Sequence, residues 1–151
     1  MQTIIKTYNE LTVDELYEIL KLRSIVFVVE QNCAYQDLDD IDKRSYHIYM
    51  KEKDKPEIKV YLRVFEKDKD TAQIGRVVTE KDSRRKGYAS KLIEKGIEIS
   101  KNEMKKTKVY LEGQVYAAQL YEKLGFKIIS DEFLEDGIPH YKMLKILNNE
   151  E

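Results

Sequence analysis

One cysteine, two prolines and six glycines are all that this 151-residue sequence holds of those types. A single cysteine, Cys33, excludes an internal disulfide and suits a reducing compartment. So little proline and glycine leaves no flexible linker, and neither a repeat nor a low-complexity tract interrupts the chain. No apolar run approaches the roughly 18 residues needed to span a bilayer. The opening stretch, MQTIIKTYNELT, lacks the apolar segment of a secretory signal. Charge of neither sign prevails: 27 Lys and Arg stand against 28 Asp and Glu, for a net charge of −1. No basic field is therefore present to attract nucleic acid or an anionic membrane. No His/Cys cluster has zinc-ligand spacing. An EF-hand loop starting at Asp37 would need Gly at its sixth position and Glu at its twelfth, where the chain has Asp42 and Ile48. These absences lead us to expect a soluble cytoplasmic protein of one domain, residues 1–151, with no metal, nucleic acid or membrane partner.

What is present is a core-forming pattern. The chain is 42% hydrophobic and 36% charged, and its length can bury a substantial core. Residues 3–8, TIIKTY, read as a strand. Thr12 and Glu15 have capping-box spacing and Leu11 and Leu16 staple spacing, so a helix starts at Val13 and runs to about Val29. Its apolar stripe reads Leu16, Ile19, Leu20 and Phe27, interrupted by Arg23. Residues 30–43 carry Asp37, Asp39, Asp40 and Asp42 without a clean period. They read either as a solvated acidic loop or as the rim of a pocket for a cationic substrate.

Residues 45–51 and 57–66 form a hairpin. In its second strand Ile58, Val60, Leu62 and Val64 face one way and Lys59, Tyr61, Arg63 and Phe65 the other. A strand over 72–79 completes an antiparallel meander. The helix after Gly87 presents Ala89, Leu92, Ile93, Gly96 and Ile97 on one face. Val109–Leu111 then enters by a crossover, parallel to the strand ending at Val78. A helix from Val115 to Leu124, capped by Gly125, leads to a strand over 126–129, a turn over 136–139 and a last strand, His140–Ile146.

Residues 74–97, IGRVVTEKDSRRKGYASKLIEKGI, organise the functional reading. An apolar strand ends at Val78, and Arg84-Arg85-Lys86-Gly87-Tyr88-Ala89 opens a helix. Unpaired N–H groups of a first helical turn, the positive end of the dipole and a glycine that permits close approach suit a phosphate. Three cations at a helix N-terminus oppose the dipole unless an anion joins them. Neither a Walker lysine followed by Ser or Thr nor a repeated glycine fingerprint is present.

Arg84-x-x-Gly87-x-Ala89 resembles the acyl-CoA signature of the GNAT N-acetyltransferase superfamily. Leu120-Tyr121-Glu122-Lys123-Leu124-Gly125-Phe126 resembles its second signature. Arg23-x-x-Val26-Phe27-Val28-x-Glu30-Gln31, with Asn32-Cys33 and Gly137-Ile138-Pro139-His140, is similar to the ElaA-like branch. The resemblance covers nearly the whole chain. It implies an α/β (α+β) fold with a mixed, mostly antiparallel sheet of about six to seven strands flanked by helices. A splayed parallel pair would form the acyl-CoA cleft.

By that resemblance the co-substrate is acetyl-CoA, with no metal. Its pyrophosphate would rest on the N–H groups of Arg85, Lys86, Gly87, Tyr88, Ala89 and Ser90, with Arg84 adding charge. The arm would run along Val77, Val78 and Thr79, an N–H near Val78 would meet the thioester oxygen, and Gln114 would bond the arm or position the following helix. Tyr121, which by spacing alone is an ordinary core tyrosine, would protonate the leaving thiolate. A phenol near about 10 and a thiol near about 8.5 need little tuning for that transfer. The strand residues Gly75 to Val78 contain no acid, and Glu80 reads as solvent-facing. The base candidates are Glu30, His140 or a water chain. Glu30 could equally be a helix-end residue and His140 a structural one. His47 and Arg63 read as structural or pocket-lining, and Cys33 as a loop thiol.

The implied activity is acetyl transfer from acetyl-CoA to a primary amine of a small molecule or peptide, by direct attack in a ternary complex. The alternative is a catalytically silent acyl-CoA-binding regulatory or interaction module. A homodimer is common among members, though no surface stripe demands one.

Overall fold

In the computed structural model, which describes residues 1–147, a strand β1 (Gln2–Thr7) is followed by α1 (Val13–Arg23) and an antiparallel meander of β2 (Tyr46–Lys51), β3 (Ile58–Glu66) and β4 (Thr71–Thr79). Then come α2 (Tyr88–Asn102), β5 (Lys108–Gln114), α3 (Ala118–Lys123), β6 (Lys127–Ile128), β7 (Phe133–Glu135) and β8 (Ile138–Ile146). Residues 148–151, the end of the expected domain, lie outside the described residues. The sheet runs β1-β2-β3-β4-β5-β8-β6, and β7 pairs with β8 beyond β6. All pairings are antiparallel except β4 with β5. This is the expected fold class with eight strands. The additional one, β7, has only three residues and no readable period. It is made by Asp136 and Gly137, both at positive φ, a pair suited to a two-residue hairpin turn.

Helices cover both faces. On one, α2 places Leu92 and Ile93 on Val60, Leu62, Val64 and Ile74. Gly96 lies so close that an added Cβ would come within 3.2 Å of Ile74. On the other, α1 and the turn that follows it pack Ile19, Leu22 and Val26 on Tyr49, Tyr61 and Val78. Because β3 is central, both of its faces are buried. Ile58 joins the Tyr61 side rather than that of Val60, because the β2–β3 register shifts at Met50 and Lys51.

The capping box at Thr12 and Glu15 forms as expected. The stripe of α1 is rotated from its expected position: Ile19, Leu22, Arg23 and Val26 are the buried residues, while Leu16, Leu20 and Phe27 are only half-buried. Arg23 lies at the centre of the face, wholly buried. After it the chain continues as a π-helical turn, Ser24–Glu30.

The first part of the acidic loop lines the cleft and Asp40 is exposed, but Asp37, Asp39 and Asp42 are neither solvated nor free to meet a substrate. Arg23 donates to Asp37 (2.9 Å) and Asp42 (2.7 Å), Arg63 to Asp39 (2.6 Å) and Asp42 (3.0 Å), and Arg76 to Asp37 (2.8 Å). Asp37 and Asp42 are buried. These carboxylates compensate arginines that the sheet and α1 carry into the interior. His47 completes the cluster. Its Nε2 donates to the Asp42 carbonyl (2.8 Å), so Nδ1 accepts from the Tyr61 hydroxyl (2.7 Å). Burial lowers the pKa of His47 from its ordinary value and keeps it neutral.

Candidate functional site

β4 and β5 pair only from Thr71 to Gln73 against Lys108 to Tyr110. Beyond that they diverge, and the backbone groups of β4 facing β5 have no ladder partner. The cause is local to β4. Its pairing with β3 passes from Gly75↔Arg63 to Val78↔Tyr61, and Arg76 sits at φ 54°. One extra residue makes a bulge, which bends a strand and ends regular pairing. The resulting cleft has a volume of about 1080 Å³.

The mouth of the cleft is the turn that opens α2. Arg85 and Gly87 both hold positive φ, and Gly87 is the N-cap, with no side chain capping the helix. The N–H groups that follow are therefore free of intrahelical partners and face the cleft. Among the described residues no atom lies within 4 Å of where a Cβ on Gly87 would stand, so glycine is needed there for its backbone conformation and leaves the approach open.

Arg84, Arg85, Gly87, Tyr88, Ala89 and Ser90 line the cleft together with Val77, Val78, Thr79, Gln114, Tyr121, Glu30 and His140. Lys86 does not; it is exposed on the outside of the turn. Arg84 is already engaged, donating from Nε to the Thr79 carbonyl (3.0 Å) and from Nη2 to Glu30 Oε1 (2.6 Å). Glu30 is thus an ion-pair partner of the turn.

The π-turn makes this contact possible. Its wider i→i−5 bonding, Gln31 N–H to the Val26 carbonyl and Cys33 N–H to that of Val28, turns the end of the helix toward the cleft. Gln31 follows, exchanging amide hydrogen bonds with Gln114 (3.2 and 3.4 Å). Gln114 therefore fastens the end of β5 to the end of the π-turn. Cys33 donates weakly to the Asp136 carbonyl. Glu80 is half-buried outside the cleft and accepts from Ser83.

Tyr121 projects from α3, edge-on to Phe126 at 76° and 6.1 Å. Its ring lies against Gly113, where an added Cβ would come within 2.8 Å of it. Among the described residues its hydroxyl makes no hydrogen bond. Burial pushes the phenol above its ordinary pKa, so it stays protonated across the neutral range and is further from a thiol than the reference values suggest. Replacing Gly113 with alanine is expected to force the ring aside and lower stability by about 1–3 kcal/mol through overpacking. A urea midpoint unchanged from the parent would show that the ring has room to move.

A domain model described as the acetyltransferase (GNAT) domain matches residues 9–147. The chain belongs to the GNAT acetyltransferase family. This GNAT chain is 42% identical over 144 residues to UPF0039 protein C11D3.02c of Schizosaccharomyces pombe, covering 95% of both. It is 36% identical to protein ElaA of Escherichia coli over 142 residues, 91% of this chain and 92% of ElaA. The ElaA crystal structure superposes with a TM-score of 0.89 over 96% of this chain and 99% of that one, at 31% identity. An acyl-CoA N-acyltransferase from Pseudomonas aeruginosa superposes with a TM-score of 0.88, at 32% identity and with 96% and 99% covered.

Within this GNAT domain the opposite wall of the cleft holds residues that sequence reasoning missed. Glu112 on β5 and Glu135 on β7 both line the cleft, and the Tyr110 hydroxyl donates to Glu112 Oε2 (2.7 Å). His140 is buried beside them. Its Nδ1 donates to the Ile138 carbonyl (2.7 Å), and Nε2 lies 3.9 Å from Glu135 Oε2. The Asp136-Gly137 dipeptide was the available signal. A two-residue hairpin there folds residues 133–135 onto 138–140 and brings Glu135 to the cleft. Among the described residues no group of three or more His, Cys, Asp or Glu could hold a metal, and no helix is long and apolar enough to cross a membrane.

Proposed function

We propose that residues 1–151 form a single domain that transfers an acetyl group from acetyl-CoA to a primary amine by direct attack in a ternary complex. The observation that carries this reading is the bulged, splayed β4 leading into an uncapped, glycine-opened helix. An extended arm with amides can pair with the free edge of β4, while a pyrophosphate takes the N–H groups of Arg85 to Ser90. The acyl-CoA named for the Pseudomonas relative supports the donor class.

With the arm along Val77, Val78 and Thr79, a backbone N–H near Val78 faces the thioester oxygen. A preorganised donor at that point stabilises the charge that develops there. Holding amine and thioester in one cleft supplies orientation. Tyr121, protonated and without another partner among the described residues, gives its proton to the departing thiolate. Lys86 contributes its N–H to the turn; its side chain adds only peripheral charge.

The test is calorimetric titration with acetyl-CoA, followed by thiol release from a mixture of protein, acetyl-CoA and a set of amines. We expect binding, and release with at least one amine. Binding without turnover would leave an acyl-CoA-binding module, and no binding would overturn both.

A further inference from the structure

Attack requires a neutral amine, and β4 offers no acid to deprotonate it. Of the base candidates from sequence, a water chain aside, Glu30 is bound to Arg84. His140 is buried, with one nitrogen committed to Ile138 and the other turned to Glu135. Glu112 and Glu135 remain. They stand on strands that flank β8, far apart in sequence, and both line the cleft.

Sheet geometry sets their place relative to the donor. Side chains alternate between faces along a strand, and directly paired residues share a face. On β5, Leu111 and Gly113 face α3 and Tyr121. Tyr110, Glu112 and Gln114 therefore face the other side, with their partners Leu144, Lys142 and His140 on β8. The splayed gap between β4 and β5 connects the two faces. A thioester held beside Tyr121 is thus open to a nucleophile arriving from the carboxyl side.

The charges on that side favour a cation. Arg63 and Arg76 are spent on the loop aspartates and Arg84 on Glu30. The groups facing the carboxyl pair are Tyr110 from β5, His140 and Lys142 from β8, Asp136 from the turn and Arg76 from β4. Partial burial, then the hydrogen bond and charge of Glu112, then Asp136, push Glu135 up to about 7, with Arg76 opposing. Glu112 moves the other way. Its burial is outweighed by hydrogen bonds from Glu135 and Tyr110 and by the charges of Lys142 and His140.

Building on the acetyl-transfer reading, we propose that Glu135 is the general base, with Glu112 as its positioning residue, for a cationic primary amine bound on this side of the cleft. With both carboxyls ionised, Glu135 takes one proton from the ammonium, and the pair becomes a hydrogen-bonded monoanion. The amine lone pair forms the N–C bond as the carbonyl π pair moves to oxygen. That oxyanion collapses, the C–S bond breaks and the sulfur leaves as thiolate. Tyr121 gives its proton to sulfur and recovers one from the new amide nitrogen, and the proton on the carboxyl pair passes to water. The products are the acetamide, free thiol and one released proton.

The experiment compares kcat/KM for the amine against pH in the parent, Glu135→Gln and Glu112→Gln, using butylamine, spermidine and the α-amine of a short peptide. Acetyl-CoA titration of each variant establishes that the fold and donor site are intact. Glu135 is partly exposed and tolerates the isosteric amide.

We expect the parent activity to rise through an inflection near pH 7. Glu135→Gln should lose about a hundredfold in kcat, the low end for acid–base catalysis because water reaches the site, and should lose the inflection, with acetyl-CoA affinity kept. Glu112→Gln should keep an inflection but shift it toward the ordinary carboxylate range near about 4.3. A Glu135→Gln variant with the parent's kcat and pH profile would overturn the base assignment alone. Absence of thiol release by the parent on every amine would overturn acetyl transfer, and this assignment with it.

Discussion

Asp42→Ala is expected to lower the unfolding free energy by about 3–5 kcal/mol, the range for removing one partner of a buried ion pair. Asp42 Oδ1 accepts from both Arg23 and Arg63, which are 0% and 3% exposed. Three guanidinium groups (Arg23, Arg63 and Arg76) and three carboxylates (Asp37, Asp39 and Asp42) neutralise one another beneath the cleft. Removing one carboxylate leaves an interior cation short of a partner.

The Arg23→Met/Asp42→Leu pair should be less damaging than Asp42→Ala, because replacing both charges removes the desolvation cost along with the attraction. Urea unfolding measures this. A loss under about 1 kcal/mol, the usual value of an exposed pair, would show that the cluster is hydrated.

The pH dependence follows. The side-chain pKa of Asp39, opposed by burial but outweighed by Arg63 and Arg76, is held down to about 2, and that of Asp42 is lowered by Arg23 and Arg63 against a similar burial cost. Folded values below unfolded ones mean stability that is present above the ordinary aspartate range and lost as pH falls. The loss begins near about pH 4 and for Asp39 continues to about 2.

Tyr121→Phe is expected to reduce kcat by about 10²–10³-fold, within the range for a general acid. The effect exceeds that expected at Glu135 because the buried ring admits no water to replace the hydroxyl. Acetyl-CoA affinity should be unchanged, so kcat and kcat/KM should fall together, the pattern of an interaction made only in the transition state. Stability should hold within about 0.5 kcal/mol, since the hydroxyl has no hydrogen-bond partner to lose among the described residues. Because burial raises the phenol's pKa, no alkaline loss of activity from this group should appear in the neutral range. Parent-like kcat in stopped-time thiol-release assays would remove Tyr121 from the mechanism.

Much of this architecture was legible in the sequence. The capping box at Thr12, the stripe of α2, the glycine at 125 and the basic turn at 84–89 are local patterns, decided by residues within one or two turns of each other. The family resemblance rested on the same stretches. Less legible was the face of α1. By period Arg23 breaks an apolar stripe, yet in the fold it is the centre of one. Its partners Asp37 and Asp42 come from 14 and 19 residues away, and an arginine's burial depends on whether such partners arrive. The acidic loop is hard to read locally for the same reason: a carboxylate is free or spent according to what faces it. Glu30 and Arg84, 54 residues apart, read in sequence as a separate base and clamp; the π-turn brings them into contact.

Element order, fold class and the phosphate-suited turn follow from local residue patterns, because backbone preference, capping and hydrophobic period act over short spans. Which charges remain available depends on how the chain packs. That packing consumes Asp37, Asp39 and Asp42 on interior arginines and Glu30 on Arg84. It places Tyr121 against Gly113 on one face of β5, and Glu112 with Glu135 on the other. Ionisation and reactivity depend on solvent access and on neighbours across strands, and those are fixed when the chain closes on itself.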